Sequence, residues 1–270
     1  MKKLVSYVGA FLLSTNILAS EEFNKHYNKG LEALVKKDFN GAVYSFEKAI
    51  NNWDPTNGNQ AYTDAHFNLG ISSMMQGDLD KAMGEFNYVK NLSPKDPIVY
   101  YQLASSYILK GDFKKSVENL EGCIKIMPKF PDAYRNLGDC YKRLNEFDKA
   151  INAYSKATTL FPKDAIAYWN FGDLYRIVGK YDEAIFVLEK SLSIDPNSFL
   201  VEDNLGLVYD AKGNYKEAIQ HHKKAIELGS NSSSEVLADL YFRLGTSYKK
   251  IGNPEKAKEY FDKSSSLLKE

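Results

Sequence analysis

The sequence of 270 residues has few of the residues that build metal and catalytic sites. It contains two cysteines, Cys123 and Cys140, and four scattered histidines, with no Cys-x-x-Cys or His-Glu-x-x-His spacing. It also has no glycine-rich phosphate loop, nucleophile elbow or acid-base pair. The sequence therefore predicts a protein that is not an enzyme and that holds no metal or cofactor.

The sequence also lacks an excess of charge of either sign. Lysine and arginine together number 35, and so do aspartate and glutamate. This balance argues against nucleic acid or a strongly anionic membrane surface as the partner. Hydrophobic residues make up 44% of the chain, enough for a sizeable core, which argues against a disordered protein.

Long apolar runs are missing except near the start, where residues 1–20 differ from the rest. Two lysines precede a mostly apolar stretch, Leu4–Leu13, and small residues follow it. This is the layout of a cleavable secretory signal. The alternative is a retained membrane anchor, but an anchor needs about 20 predominantly apolar residues, and polar side chains interrupt this stretch. We predict cleavage at Ala19 or Ser20, and a bacterial periplasmic protein with no stable membrane insertion.

After residue 20 the sequence repeats itself. Six segments begin with Asn, Gln or Arg, continue with Leu or Phe, and have Gly or Ala as the third residue. A weaker, seventh copy precedes these six in the sequence. The small third residue of the segment is Gly30, Gly70, Ala104, Gly138, Gly172, Gly206 or Gly245. The steps between these positions are 40, 34, 34, 34, 34 and 39 residues. A period near 34 residues is typical of helical repeat proteins.

Each copy contains the signals of two helices joined by a turn. A second small residue follows, and then a bulky residue: Phe46, Phe86, Leu120, Tyr154, Leu188, His222 or Phe261. Glycine or asparagine lies between the two small residues in the later copies, where a helix is expected to end. Seven prolines lie between copies, at Pro55, Pro94, Pro97, Pro128, Pro131, Pro162 and Pro196, and Pro254 begins the last predicted helix.

This pattern resembles the tetratricopeptide repeat family, whose signature includes Leu-Gly-x-x-Tyr, then Ala-x-x-x-Phe, then Pro, over 34 residues. The resemblance implies an all-α fold, a right-handed α-solenoid of seven helix-turn-helix repeats over residues 21–270. The predicted repeats are approximately 23–56, 63–96, 97–130, 131–164, 165–198, 199–232 and 238–270.

The resemblance also implies a concave groove lined by one side of each first helix. We number the residues of each repeat so that its first small residue is position eight. The groove positions are then two, five, six, nine, twelve and thirteen. Position six carries an amide in six copies: Asn28, Asn68, Gln102, Asn136, Asn170 and Asn204. Amides both donate and accept hydrogen bonds, and this row is similar to the asparagine ladder of O-linked N-acetylglucosamine transferases, which grips extended peptide. The alternative, that these amides bond within the scaffold, stays open.

Large side chains at other groove positions are candidate anchors for a partner, because aromatic residues and arginine dominate binding hot spots. The candidates are Tyr101, Arg135, Trp169 and Arg176. Position twelve is apolar in the first three copies and mixed in charge in the middle ones. The apolar end either binds an apolar part of the ligand or is filled by the protein itself or a second copy.

The sequence therefore predicts a protein-protein interaction scaffold or adaptor of the cell envelope that binds a peptide segment in its groove. One alternative is a structural protein that self-associates, for example as a homodimer. Another is a regulatory subunit of an envelope enzyme. The two cysteines are predicted to be small buried thiols, although an oxidising compartment permits a disulfide.

Overall fold

The computed structural model describes residues 21–54 and 59–268. These residues form fourteen α-helices and no strand, which confirms the predicted all-α class. The predicted signal, residues 1–20, lies outside the described residues. The chain divides into two compact units, Met1–Pro128 and Lys129–Glu270, called unit 1 and unit 2 below.

The helices of both units are paired into hairpins. Unit 1 contains α1 (Glu21–Val35), α2 (Phe39–Asn51), α3 (Asn59–Gln76), α4 (Leu79–Leu92), α5 (Pro97–Lys110) and α6 (Phe113–Ile126). Unit 2 contains α7 (Pro131–Arg143), α8 (Phe147–Leu160), α9 (Ala165–Ile177), α10 (Tyr181–Ile194), α11 (Phe199–Ala211), α12 (Tyr215–Leu228), α13 (Ser234–Lys250) and α14 (Pro254–Leu267). Within each unit, the second helix of a hairpin packs against the first helix of the next hairpin.

Capping residues define where many helices begin. The side chain of Asp38 accepts a hydrogen bond from Gly41 N at 2.9 Å, and Asp78 accepts one from Lys81 N at 3.0 Å. Each bond satisfies a backbone donor that has no partner inside its helix. Proline stands in the first turn of α5, α7 and α14, where its missing N–H costs nothing.

The turn inside each hairpin uses a residue with positive φ. Glycine occupies this position in five hairpins, at Gly77, Gly111, Gly179, Gly213 and Gly252. Asn145 takes it between α7 and α8, and Lys37 takes it between α1 and α2, both at φ 59°. Glycine and asparagine tolerate this conformation, whereas a lysine is strained in it.

The two helices of most hairpins meet where a glycine faces a bulky side chain. The pairs are Gly30 with Phe46, Gly70 with Phe86, Gly138 with Tyr154, Gly172 with Leu188, Gly206 with His222, and Gly245 with Phe261. A Cβ atom added at Gly138 would lie 2.6 Å from the ring of Tyr154, so the helices approach too closely for a side chain. The repeated small and bulky residues of the sequence therefore form the contact that closes each of these hairpins.

Helix α3 of unit 1 differs from the expected amphipathic pattern. Thirteen of its 18 residues are buried, including the groove-position residues Phe67, Asn68 and Met74. Phe67 packs in the core beside Phe86, with ring centroids 5.7 Å apart. These three residues occupy predicted groove positions, but this side of α3 is enclosed and does not form a solvated groove wall.

Candidate partner-binding site

The first helices of neighbouring hairpins contact one another within each unit. These contacts join α3 to α5 in unit 1, and α7 to α9, α9 to α11 and α11 to α13 in unit 2. We call the side of these helices that carries the predicted groove positions the groove face of its unit.

In unit 1 the position-six amides are in three different situations. Asn28 is exposed, whereas Asn68 is buried and its Nδ2 donates to the hydroxyl of Tyr27 at 2.9 Å. Burial, and then the charge of Asp64, raises the pKa of Tyr27, so its hydroxyl keeps its proton. Gln102 is buried, and its Oε1 has no hydrogen-bond partner within the described part of the chain.

In unit 2 the position-six amides Asn170 and Asn204 are held inside the scaffold by hydrogen bonds of 3.0 Å each. Asn170 Nδ2 donates to Asp139 Oδ1 at 3.0 Å, from one first helix to the neighbouring one. Asn204 Nδ2 donates to the Leu200 carbonyl oxygen of its own helix at 3.0 Å. Asn136 is half-buried on α7.

The predicted anchor Arg135 is fixed by two carboxylates. Its guanidinium lies 2.6 Å from Asp164 Oδ2 and 2.9 Å from Asp132 Oδ1. Asp164 is also the N-cap of α9, because its Oδ1 accepts from Ala167 N. The guanidinium is therefore positioned before any partner arrives. Of the two aspartates that pair with it, Asp164 belongs to the neighbouring hairpin.

The second predicted arginine, Arg176, shares Asp173 with Lys142. Arg176 Nη2 lies 2.7 Å and Lys142 Nζ 3.1 Å from the oxygens of Asp173. Burial alone would raise the pKa of Asp173, but the hydrogen bond from Arg176 and the charges of Lys142 and Arg176 outweigh it, so the pKa lies below its usual value. The Asp173 carboxylate therefore stays ionised and holds both cations on the groove face of unit 2.

The aromatic candidates are less exposed than the sequence suggested. Tyr101 is buried in unit 1. Trp169 is half-buried, packs against the core cluster that includes Leu188 and Leu205, and leaves its Nε1 without a hydrogen-bond partner in the described part of the chain. Trp169 thus presents only part of its ring, because its Nε1 is itself buried, and Tyr101 offers little surface.

Family models match the chain over the hairpins just described. Models described as tetratricopeptide repeat match residues 98–130, 131–164, 165–198 and 198–270, together well over half of the chain. The chain belongs to the tetratricopeptide repeat family. None of the curated proteins matches it.

Several solved tetratricopeptide structures are similar to this chain. A crystal structure of MamA shares 28% sequence identity and a TM-score of 0.59, and the match covers 62% of this chain and 92% of MamA. A tetratricopeptide repeat protein from Parabacteroides merdae ATCC 43184 gives a TM-score of 0.71 at 20% identity, with 92% and 94% of the chains covered. YrrB, a protein described as having an unusual peptide-binding site, gives 0.56 at 17% identity, with 68% and 93% covered. The last two likenesses concern the fold alone.

Tetratricopeptide repeats are generally non-enzymatic scaffolds that bind protein partners, so the predicted scaffold function is supported at this level. In the described part of the chain, no group of three or more His, Cys, Asp or Glu residues is arranged to hold a metal ion. None of the described helices has both the length and the apolarity that a membrane span requires. Cys123 and Cys140 are both buried and are not joined in a disulfide.

One polar cluster of this tetratricopeptide chain was missed by the sequence reasoning. His222 has no exposed surface, and its ring nitrogens lie 3.2 Å from Asp203 Oδ1 and 3.5 Å from Asp210 Oδ2. Arg243 of α13 pairs with Asp203, and Ser247 Oγ donates to Asp210 at 2.7 Å. The available signal was a histidine in the series of bulky residues, with two aspartates seven residues apart on the preceding helix.

Two cavities contain none of the predicted partner-binding residues. One, of about 310 Å³, lies on the groove face of unit 2, and its walls include Leu207, Asp210, Ala211, Phe242, Arg243 and Lys250. The other, of about 420 Å³, lies in unit 1 among α2, α3 and α4. There His66 Nδ1 lies 2.6 Å from Glu85 Oε2, and the His66 ring contacts the rings of Tyr62 and Tyr88.

Proposed function

We propose that this tetratricopeptide repeat protein is an exported scaffold or adaptor of the cell envelope that holds an extended segment of a partner polypeptide on its groove face. The observation that carries the proposal is the row of amides at one position of three neighbouring first helices, Asn136, Asn170 and Asn204. Each amide has the same donor and acceptor groups as a peptide backbone, so it can pair with a segment of any sequence.

Preorganisation of the charged side chains supports the same function. Arg135 and Arg176 are each held by aspartates within unit 2. A partner that contacts them does not have to order these long side chains on binding, which reduces the entropic cost of association. The unusual peptide-binding site described for YrrB makes a peptide the first class of ligand to test.

The envelope location rests on the signal-like residues 1–20, with their basic start and the apolar stretch Leu4–Leu13. Mass spectrometry of the chain from fractionated cells tests it. We expect a mature chain cleaved at Ala19 or Ser20 in the periplasmic fraction. An uncleaved chain in the cytoplasmic fraction would contradict the location while leaving the scaffold function in place.

Binding is tested by panning a random dodecapeptide display library against the mature chain, and measuring selected peptides by fluorescence anisotropy. Alanine at Asn136, Asn170 and Asn204 is expected to weaken binding by about 1 kcal/mol each. Each substitution should lower the free energy of unfolding by less than that. Asn152→Ala is the matched control, because Asn152 is an exposed amide on the second helix α8. Equal loss of binding and stability would assign the three amides to the scaffold, and a library that yields no binder would contradict the function.

Self-association is the second candidate, and the end of α14 favours it. Leu268 is 64% exposed, directly after the last described helix. An exposed apolar side chain is a surface that another subunit can cover. Light scattering over a concentration series tests this, and a mass that stays that of one chain would exclude it.

A further inference from the structure

The cavity between α11 and α13 combines exposed apolar surface with cations. Phe242 is 57% exposed, although its ring is held against Phe261 with centroids 5.4 Å apart. Leu207 and Ala211 of the neighbouring helix line the other side. A fixed aromatic ring opposite aliphatic side chains is suited to one bulky apolar side chain, the usual anchor of a protein interface.

The acidic groups at this cavity already have donors. Asp210 accepts from Ser247 Oγ at 2.7 Å and lies 3.5 Å from the ring of His222. Asp203, behind the cavity wall, pairs with Arg243. Both carboxylates are also buried, so they offer little surface to a partner.

The lysines at the end of α13 are not compensated in this way. Lys249 and Lys250 have no carboxylate within 4.0 Å in residues 21–54 and 59–268, and Lys250 lies on the cavity wall. The Lys250 ammonium lies over the ring of Tyr215, 5.5 Å from its centroid. Most other cations on first helices of unit 2 are paired: Arg135 with Asp164, Lys142 with Asp173, and Arg176 with Asp173.

We propose that this cavity is the anchor point for the partner segment, and that it takes a bulky apolar side chain whose neighbouring residues are acidic. The proposal rests on the proposed function and names the chemistry of the segment that the groove face selects. The apolar side chain lies between Phe242 and Leu207, and the acidic neighbours meet Lys249 and Lys250.

The probes are three fluorescein-labelled decapeptides, measured by anisotropy against the mature chain. The first carries a central leucine flanked by glutamates, the second replaces the glutamates by glutamines, and the third replaces the leucine by serine. We expect the first to bind, the second to bind about two- to fivefold more weakly at low salt, and the third about tenfold more weakly or worse, since it buries no apolar side chain.

Two variants and two matched controls locate the binding. Phe242→Ala is expected to weaken the first peptide about tenfold, and Lys250→Gln should reduce its preference over the glutamine peptide, with Lys249 retaining the rest. Phe186→Ala and Lys190→Gln are the controls, because Phe186 is 62% exposed on the second helix α10 and Lys190 lies over its ring. Both controls should bind like the unaltered chain. Lys250 is exposed, so its variant remains informative if Phe242→Ala fails to fold.

The outcomes separate the anchor from the general function. If library-selected peptides bind the chain but Phe242→Ala and Lys250→Gln leave their affinity unchanged, the anchor proposal is overturned and the scaffold function stands. If neither library nor designed peptides bind, both are overturned. If sedimentation shows a dimer that Phe242→Ala dissociates, the cavity is occupied by a second copy of the chain, and the anchor proposal is again overturned.

Discussion

Replacing His222 by phenylalanine is expected to remove most of the pH dependence of the stability of unit 2. His222 is fully buried between Asp203 and Asp210, both on α11. The helix α13 adds Arg243, which pairs with Asp203, and Ser247, which donates to Asp210. These are the charged and polar groups that face the imidazole from the helices packed against it.

The direction of the pH effect follows from the pKa of His222. Burial alone would lower this pKa, but the hydrogen bonds and charges of Asp203 and Asp210 outweigh it and raise the pKa above its usual 6.5. A histidine with a raised pKa takes up a proton on folding. Its contribution to stability is therefore complete below pH 6.5 and is lost as the pH rises through the folded-state pKa. For one proton, the loss is at most about 1.4 kcal/mol per pH unit.

Phenylalanine is the informative replacement because it occupies the same position in other hairpins, for example as Phe46 and Phe86 facing Gly30 and Gly70. At pH 6 His222→Phe should cost about 1–3 kcal/mol, since two buried carboxylates each lose a nearby positive charge. Above the folded-state pKa the difference between the two chains should shrink.

Urea unfolding between pH 6 and pH 9, followed by circular dichroism, measures this prediction. Hydrogen exchange in α12 assigns the effect to unit 2. The control is Gln220→Ala on the same helix, an exposed residue without a titratable side chain, which leaves the cluster around His222 intact and should keep the slope of the unaltered chain. Parallel pH profiles for His222→Phe and the unaltered chain would refute the reasoning.

Two substitutions test the hairpin geometry, and one labelling experiment tests the burial of Cys123. Lys37→Gly should raise the free energy of unfolding by about 0.5–1 kcal/mol, because φ of 59° is relaxed for glycine, and a thermal melt that shows no gain would contradict this. Gly138→Ala should lower it by about 1–3 kcal/mol, because the new Cβ would meet the ring of Tyr154, and an unchanged melting temperature would refute the contact. Burial raises the pKa of Cys123 to about 12, so iodoacetamide at pH 8 should modify Cys123 at least about tenfold faster in urea than in the native chain, and equal rates would disprove its burial.

The hairpin framework could be predicted from the sequence because it depends on local rules. Glycine at the turn and glycine opposite a bulky residue each follow from backbone sterics, which a repeat of 34 residues displays several times. Lys37 was not foreseen as a turn residue. The glycine of the other turns is absent there, and the position became clear only from its positive φ.

The candidate site was less predictable, because exposure depends on what packs across helices. The sequence put Asn68 and Asn170 on one face, but the first bonds a tyrosine of the preceding hairpin and the second an aspartate 31 residues away. The groove-position residues of α3 are enclosed for the same reason, because their exposure depends on the packing of other helices. For His222 the pattern was present in the sequence, but its meaning depended on the depth at which Asp203 and Asp210 are buried.

The internal hydrogen bonds of Asn68, Asn170 and Asn204 limit what these amides can contribute to affinity. Each bond uses one of the two N–H donors of its amide, so a peptide can pair only with the second N–H or with the Oδ1 acceptor. Part of the hydrogen-bonding capacity of each amide is thus already used, and the gain from each stays near ~1 kcal/mol, that of a single hydrogen bond. A partner could shift along such a row by one step with little change in energy, and the row would then tolerate many sequences while the register is chosen elsewhere.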